Sequence, residues 1–259
     1  MNSDEPQTLE KSALELSQKA QVTTNNIVEL FKGFRTVEED RLHTWHENNG
    51  GGREIARQRS DMVDILFREL FQKIASRVTS KPLTDRLCVA AFGGYGRREL
   101  TPLSDIDIIF IQRKTCVDRD VEEIIRQTLV SLWDIGFKVG HATRTIEEAL
   151  NKSNEDMITK TSMLESRFLT GDREIFTCFK ERFQSTCVEG HADEYILWRL
   201  KNQADLRVKH GTTVFMQEPN IKKRDGWLAR LPKFALDIPV QARHHINRQT
   251  GRGKNPPRQ

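Results

Sequence analysis

Hydrophobic and polar positions follow two different periods along this chain, and the change between them outlines the predicted core. Apolar residues recur at helical spacing over residues 1–38 and again over residues 53–76. A glycine-rich stretch, ENNGGGRE, separates the two helices at residues 47–54. From residue 87 the pattern changes to short apolar runs. The sequence therefore predicts an N-terminal helical extension, residues 1–52, followed by a domain that contains strands.

Three of these runs predict strands. LCVAAFG at residues 87–93 and IDIIFI at residues 106–111 are almost entirely apolar, which is typical of strands buried on both faces. The third is FKVGHATR at residues 137–144, and an amphipathic helix over residues 119–135 precedes it. The rest of the spacing is helical, with helices predicted over residues 145–151, 155–169, 172–186 and 192–209. The predicted fold class is α+β, a small mixed sheet with flanking helices at residues 53–150 and a helical region packed on it at residues 151–222.

Composition and charge argue against several classes of protein. No apolar run approaches the roughly 18 residues of a membrane helix, and the acidic, polar N-terminus is unlike a secretory signal. The four cysteines, Cys88, Cys116, Cys178 and Cys187, show no CxxC pair, so we expect reduced thiols in a cytoplasmic protein.

The basic charge of the chain is confined to its end. The net charge is +4, but ten Lys/Arg and two Asp from Lys222 onward give +8, which leaves −4 for residues 1–221. A mildly acidic body does not favour a nucleic-acid partner. We therefore expect neither nucleic acid nor a membrane as a partner.

Two aspartates at the end of GGYGRRELTPLSDID, residues 93–107, indicate a metal site. Asp105 and Asp107 are separated by one residue at the start of a predicted strand, so both side chains point to the same face. Two adjacent carboxylates repel each other, and a divalent cation relieves the repulsion. Mg²⁺ prefers a few carboxylates together with substrate phosphates.

The glycines that open the same stretch indicate a phosphate site. Gly93 and Gly94 have no Cβ atoms, so their backbone N–H groups can approach a triphosphate closely. Arg97 and Ser104 would add a positive charge and a hydroxyl donor. The stretch is not a G-x-x-x-x-G-K-[ST] loop, and its glycine spacing is not that of a dinucleotide-binding turn.

This order of motifs resembles the nucleotidyltransferase superfamily that includes DNA polymerase β. More narrowly, FGGYGRRELTPLSDIDIIFI, LWDIGFKVGHATRT, TKTSMLESRFLTGDREIF and EPNIK resemble the N-terminal catalytic region of bacterial PII uridylyltransferases, over roughly residues 50–222. The resemblance implies a polymerase-β-like core that transfers UMP from UTP to a tyrosine hydroxyl of the PII signalling protein with Mg²⁺. It assigns the triphosphate to Gly93 and Gly94 and the metal to Asp105 and Asp107, with Arg97 and Ser104 assisting.

The superfamily usually has a third carboxylate on a later strand, and FKVGHATR has none. Asp156, Glu165 and Glu218 are all candidates. His141 is interpreted as structural rather than as a ligand. Arg144 either binds phosphate or pairs with a neighbouring acid, Glu147 or Glu148. An ion pair between Glu165 and Arg167 is a further possibility that would join the helical region to the core.

The resemblance also sets expectations for the end of the chain. Members of the family continue into an HD-type phosphohydrolase domain and two ACT domains, so the chain is expected to be truncated. The tail, residues 223–259, is interpreted as basic and disordered, or as read out of frame from about residue 224. Two alternative functions stay open, a nucleotidyltransferase with another acceptor and a non-catalytic remnant.

Overall fold

The computed structural model describes residues 27–113 and 118–210, together with residues 9, 12–13 and 15–19. The predictions for Cys116, Glu218 and the tail at residues 223–259 lie outside the described residues. The chain divides into two compact units, Met1–Gln184 and Ser185–Gln259. The predicted domain boundaries at residues 52, 150 and 222 stay predictions.

Two long helices precede the first strand. Helix α1 spans Ile27–Glu47 and helix α2 spans Gly52–Val78. The predicted break between them is confirmed, although α1 continues past residue 38. Gly50 is required at the break, because a Cβ atom there would lie 2.7 Å from the backbone oxygen of Trp45.

The described residues contain four strands, β1 Leu87–Ala91, β2 Ile106–Gln112, β3 Val139–Thr145 and β4 Arg167–Gly171. They form one mixed sheet in the order β3-β2-β1-β4. Strand β1 is antiparallel to β2 and to β4, and β2 is parallel to β3. A single helical turn, α3 Gly93–Gly96, follows β1. Helix α4, Arg119–Ile135, connects the parallel pair, as parallel neighbours require a crossover.

One face of the sheet forms the main hydrophobic core with α1, α2 and α4. Alternate residues of β2 point to this face, and Ile106, Ile108 and Phe110 are completely buried. The helices contribute Phe31, Met62, Leu66, Phe67, Ile124 and Leu132 to the same cluster. The expected fold class, α+β with a small mixed sheet, is confirmed.

The region predicted to be helical contains a strand. The sequence predicts a helix over residues 155–169, but the helix there, α6 Met157–Leu164, ends before β4 begins at Arg167. Strand β4 extends the sheet by pairing with β1, and Gly171 at its end (φ +88°) has no room for a Cβ atom. The other elements after β3 are α5 Ile146–Glu155, α6 Met157–Leu164, α7 Arg173–Phe183, a π-helical turn Gln184–Val188 and α8 Ala192–His210.

The cysteines that the structure describes are free thiols, as expected. Cys88 and Cys187 are buried and Cys178 is half-buried. Burial raises the pKa of the Cys88 thiol to about 12. No helix among the described residues is both long and apolar enough to cross a membrane.

Candidate active site

The glycine turn lies directly against the strand that carries the aspartates. Gly93 adopts φ +59°, a left-handed conformation that favours glycine. A Cβ atom at Gly93 would lie 3.4 Å from Oδ2 of Asp107. The N–H of Phe92 donates to the Asp107 carbonyl at 3.1 Å. The structure thus brings together the predicted phosphate turn and one predicted metal ligand.

The carboxylate of Asp107 lies between two glycines. Asp107 is half-buried in β2, in register with Gly140 of β3. A Cβ atom at Gly140 would lie only 2.5 Å from Oδ1 of Asp107. The sequence analysis did not assign Gly140 to the site, although a glycine inside a strand pattern often marks such a close approach. The absence of a side chain there leaves space for the carboxylate.

Asp105 precedes β2 and is exposed to solvent. Ile106 and Ile108 are buried, as the alternation in a strand requires, and the Ile106 N–H donates to the Lys138 carbonyl at 2.8 Å. Within the described residues, no group of three or more His, Cys, Asp or Glu is arranged to hold a metal ion. The Asp107 carboxylate lies beside the glycine turn and Asp105 immediately precedes β2, and such a pair fits a Mg²⁺ ion that shares its remaining ligands with nucleotide phosphates and water.

Two of the three candidates for a further acid have other partners. Asp156 is the N-cap of α6 and accepts hydrogen bonds from the N–H groups of Ile158 (3.2 Å) and Thr159 (2.9 Å). The Thr159 hydroxyl and these N–H groups lower the pKa of Asp156. Glu165 pairs with Arg97. The third metal-binding acid therefore stays a prediction.

Strand β3 presents its two basic residues to opposite faces of the sheet. His141 follows Gly140, so it points away from the face of Asp107, and its ring contacts Trp133 of α4 edge-on at 6.0 Å. This contact agrees with a structural histidine. Arg144 shares the Asp107 face, and its Nη1 is enclosed without a hydrogen-bond partner among the described residues.

The acids next to Arg144 in sequence have other partners. Glu147 pairs with Arg182, with a 2.7 Å bond to Nη2. Glu148 completes a capping box with Thr145, where the Thr145 N–H donates to Glu148 at 2.8 Å. Phosphate binding by Arg144 stays a prediction.

Arg97 lies beside the glycine turn but is held by two carboxylates. Its Nε donates to Glu99 at 2.9 Å and its Nη1 donates to Glu165. Burial alone would lower the pKa of Arg97, but these hydrogen bonds and charges outweigh it and raise the pKa. Ser104 is exposed, and its hydroxyl shares a 2.6 Å hydrogen bond with that of Thr101. The roles assigned to both residues stay predictions.

A buried hydrogen-bond network connects the glycine turn to α2 and β4. The hydroxyl of fully buried Tyr95 donates to Asp64 of α2 at 2.7 Å. Arg167 of β4 donates to both oxygens of Asp64, at 2.5 and 3.0 Å, and its Nη2 donates to the Tyr95 carbonyl at 3.3 Å. Burial, together with the charge of Asp64, raises the pKa of Tyr95 well above its usual value. The sequence analysis left an ion pair between Glu165 and Arg167 open; in the structure Arg167 pairs with Asp64 of α2, and Glu165 pairs with Arg97.

Comparison with known protein families shows to which class of protein this part of the chain is similar. Residues 39–160 match the family model described as "Putative nucleotidyltransferase DUF294". That range contains the glycine turn, both aspartates and β3. This match supports the class that the motifs imply, a nucleotidyltransferase domain within residues 39–160.

Three curated relatives show which kind of nucleotidyltransferase the chain is similar to. The chain is 39% identical over 205 residues to the bifunctional uridylyltransferase/uridylyl-removing enzyme of Phenylobacterium zucineum, covering 78% of this chain and 21% of that protein. It is 38% identical, with the same coverage, to the enzyme of that name from Caulobacter vibrioides. The enzyme of that name from Azospirillum brasilense is 34% identical, over 71% of this chain and 20% of its own length. The chain spans about a fifth of the length of these curated relatives.

Proposed function

We propose that this nucleotidyltransferase domain transfers UMP from UTP to a tyrosine hydroxyl of the PII signalling protein. The observation that carries the proposal is the position of the Asp107 carboxylate against Gly93 of the phosphate turn. The names of the related proteins support uridylyl transfer, and the tyrosine of PII is the acceptor that the family resemblance implies.

Asp105 and Asp107 would hold Mg²⁺, which supplies positive charge for the phosphates during transfer. Gly93 and Gly94 leave room for the triphosphate at the turn. In the reaction, the tyrosine oxygen forms a bond to the α-phosphorus of UTP, the bond to pyrophosphate breaks, and the phenolic proton is lost. The chain's residues orient the two reactants for in-line displacement, which requires no covalent enzyme intermediate.

The test is transfer of label from α-labelled UTP to purified PII in the presence of Mg²⁺. We expect Asp107→Asn to abolish transfer, and EDTA to do the same. Asp134→Asn is the matched control, since Asp134 is an exposed aspartate of α4. Label on PII that persists with Asp107→Asn would refute the proposed metal site. Folded wild-type protein that labels no PII would refute PII as the acceptor.

A further inference from the structure

The segment that leads into Asp105 is exposed and irregular. Thr101, Ser104 and Asp105 are all exposed, and Leu103 is 93% exposed. Arg98, at the start of the segment, adopts φ +59°, which is uncommon for a residue with a side chain. A metal-binding carboxylate at the end of such a segment needs support from elsewhere in the fold.

That support comes from one side of α2. The guanidinium of Arg59, which is only 4% exposed, donates from Nη1 to the Thr101 carbonyl at 2.9 Å. The N–H of Leu100 donates to the buried hydroxyl of Ser60 at 3.2 Å. The Thr101 carbonyl also accepts the Ser104 N–H at 3.0 Å and so closes the turn that ends just before Asp105.

The position of Arg59 is itself fixed by α1. Its Nη2 lies 3.3 Å from Glu39, and Glu39 also pairs with Arg35 at 3.1 Å. Burial lowers the pKa of Arg59, and Glu39 opposes that shift. A buried guanidinium of which one nitrogen reaches the loop backbone is a rigid donor in a defined place.

We propose that Arg59 is a positioning residue that fixes the turn at residues 101–104 and thereby sets the position of the Asp105 carboxylate. The proposal rests on the proposed function, because it assigns Arg59 to the same metal site. Asp107 depends less on this contact, since its backbone belongs to β2 and is paired on both sides. Loss of Arg59 should therefore weaken one metal ligand and leave the other in place.

The first experiment measures amide hydrogen exchange in the segment. Arg59→Met keeps an apolar side chain of similar length but removes both hydrogen bonds. It leaves Glu39 paired with Arg35, and the Thr101 carbonyl keeps the hydrogen bond from the Ser104 N–H. We expect exchange at Leu100 and Ser104 to become about tenfold faster, as loss of one net hydrogen bond implies.

Arg41→Met is the matched control. Arg41 of α1 pairs with Glu38 of the same helix at 2.8 Å and reaches α2 through Gln58 at 3.4 Å, but it makes no hydrogen bond to the segment among the described contacts. Unchanged exchange in Arg59→Met would overturn the proposal. Equal acceleration in Arg41→Met would also overturn it, by assigning the effect to packing of α1 on α2.

The second experiment tests the link to Asp105. Binding of Mn²⁺, followed by EPR without turnover, and the Mg²⁺ dependence of transfer are compared in the wild type, Arg59→Met and Arg59→Lys. We expect Arg59→Met to need about 10- to 100-fold more metal, the usual effect of removing a residue that supports a ligand, and Arg59→Lys to recover part of the loss. Wild-type metal dependence in a variant with fast exchange would overturn the link. A wild type that binds Mn²⁺ but transfers nothing would refute the proposed function alone.

Discussion

Replacement of Gly140 by alanine tests the placement of Asp107 most directly. The new Cβ atom would lie 2.5 Å from Oδ1 of Asp107, where ordinary contacts begin at 3.4 Å. Relief therefore requires a movement of about 1 Å. The obstructing atom is the end of a half-buried side chain, so the carboxylate rather than the backbone should move.

Catalysis and stability should respond very differently to this displacement. Misplacement of a reacting or metal-binding group by about 1 Å can cost about 100-fold in rate, so we expect kcat to fall about 10- to 100-fold. A distorted side-chain torsion costs about 0.5–1.5 kcal/mol. Alanine recovers about 0.5–1 kcal/mol in a strand relative to glycine. The free energy of unfolding should therefore change by less than about 1 kcal/mol.

The assay is transfer from α-labelled UTP at saturating substrate and Mg²⁺, with denaturant unfolding measured on the same preparations. Gly33→Ala is the control, because no atom of the described residues lies within 4 Å of a Cβ atom at that position in α1. Wild-type kcat in folded Gly140→Ala protein would refute the reasoning. A loss of stability above about 3 kcal/mol would also refute it, because it would show that the backbone, and not the carboxylate, gives way.

Three further outcomes follow from the contacts around the turn. Gly96→Ala should lower the free energy of unfolding measured in urea by about 1–3 kcal/mol, because the new Cβ atom would overlap the backbone oxygen of Glu165, which cannot rotate away. An unchanged free energy of unfolding would contradict the close packing. Tyr95→Phe should cost about 1 kcal/mol through loss of the bond to Asp64, and an unchanged urea midpoint would contradict that bond. Asp156→Ala should cost about 1 kcal/mol at pH 7. The folded-state pKa of Asp156 is below its usual 3.8, so the difference in free energy of unfolding between variant and wild type should shrink as pH falls through that folded-state pKa. A difference that persists at lower pH would contradict the capping role.

Much of the sheet and the central motif could be predicted because local patterns determine them. The apolar runs at residues 87–93 and 106–111 became β1 and β2, and Ile106 and Ile108, which alternate with the two aspartates, are buried. Strand β4 could not be predicted in this way. Its five residues follow α6 almost immediately, without a proline or glycine between them, and pairing with β1 determines their conformation.

The residues that support the site were missed for a related reason. Arg59 and Thr101 are separated by 42 positions and Asp64 and Arg167 by 103, so no local spacing connects them. Arg59 and Asp64 lie in an ordinary amphipathic helix, where charged residues are usually solvated. Only the folded chain shows that these two are buried and face the loop and the turn.

Helix α2 supports the site from a single stripe of its surface. Arg59, Ser60 and Asp64 hold the Thr101 carbonyl, the Leu100 N–H and the Tyr95 hydroxyl, respectively. A helix advances about 100° per residue, so deleting one residue of α2 before this stripe would turn all three anchors away from the site together. A point substitution would release only one of them. We therefore expect the length of α2 upstream of residue 59 to be far less variable among functional sequences than its individual side chains.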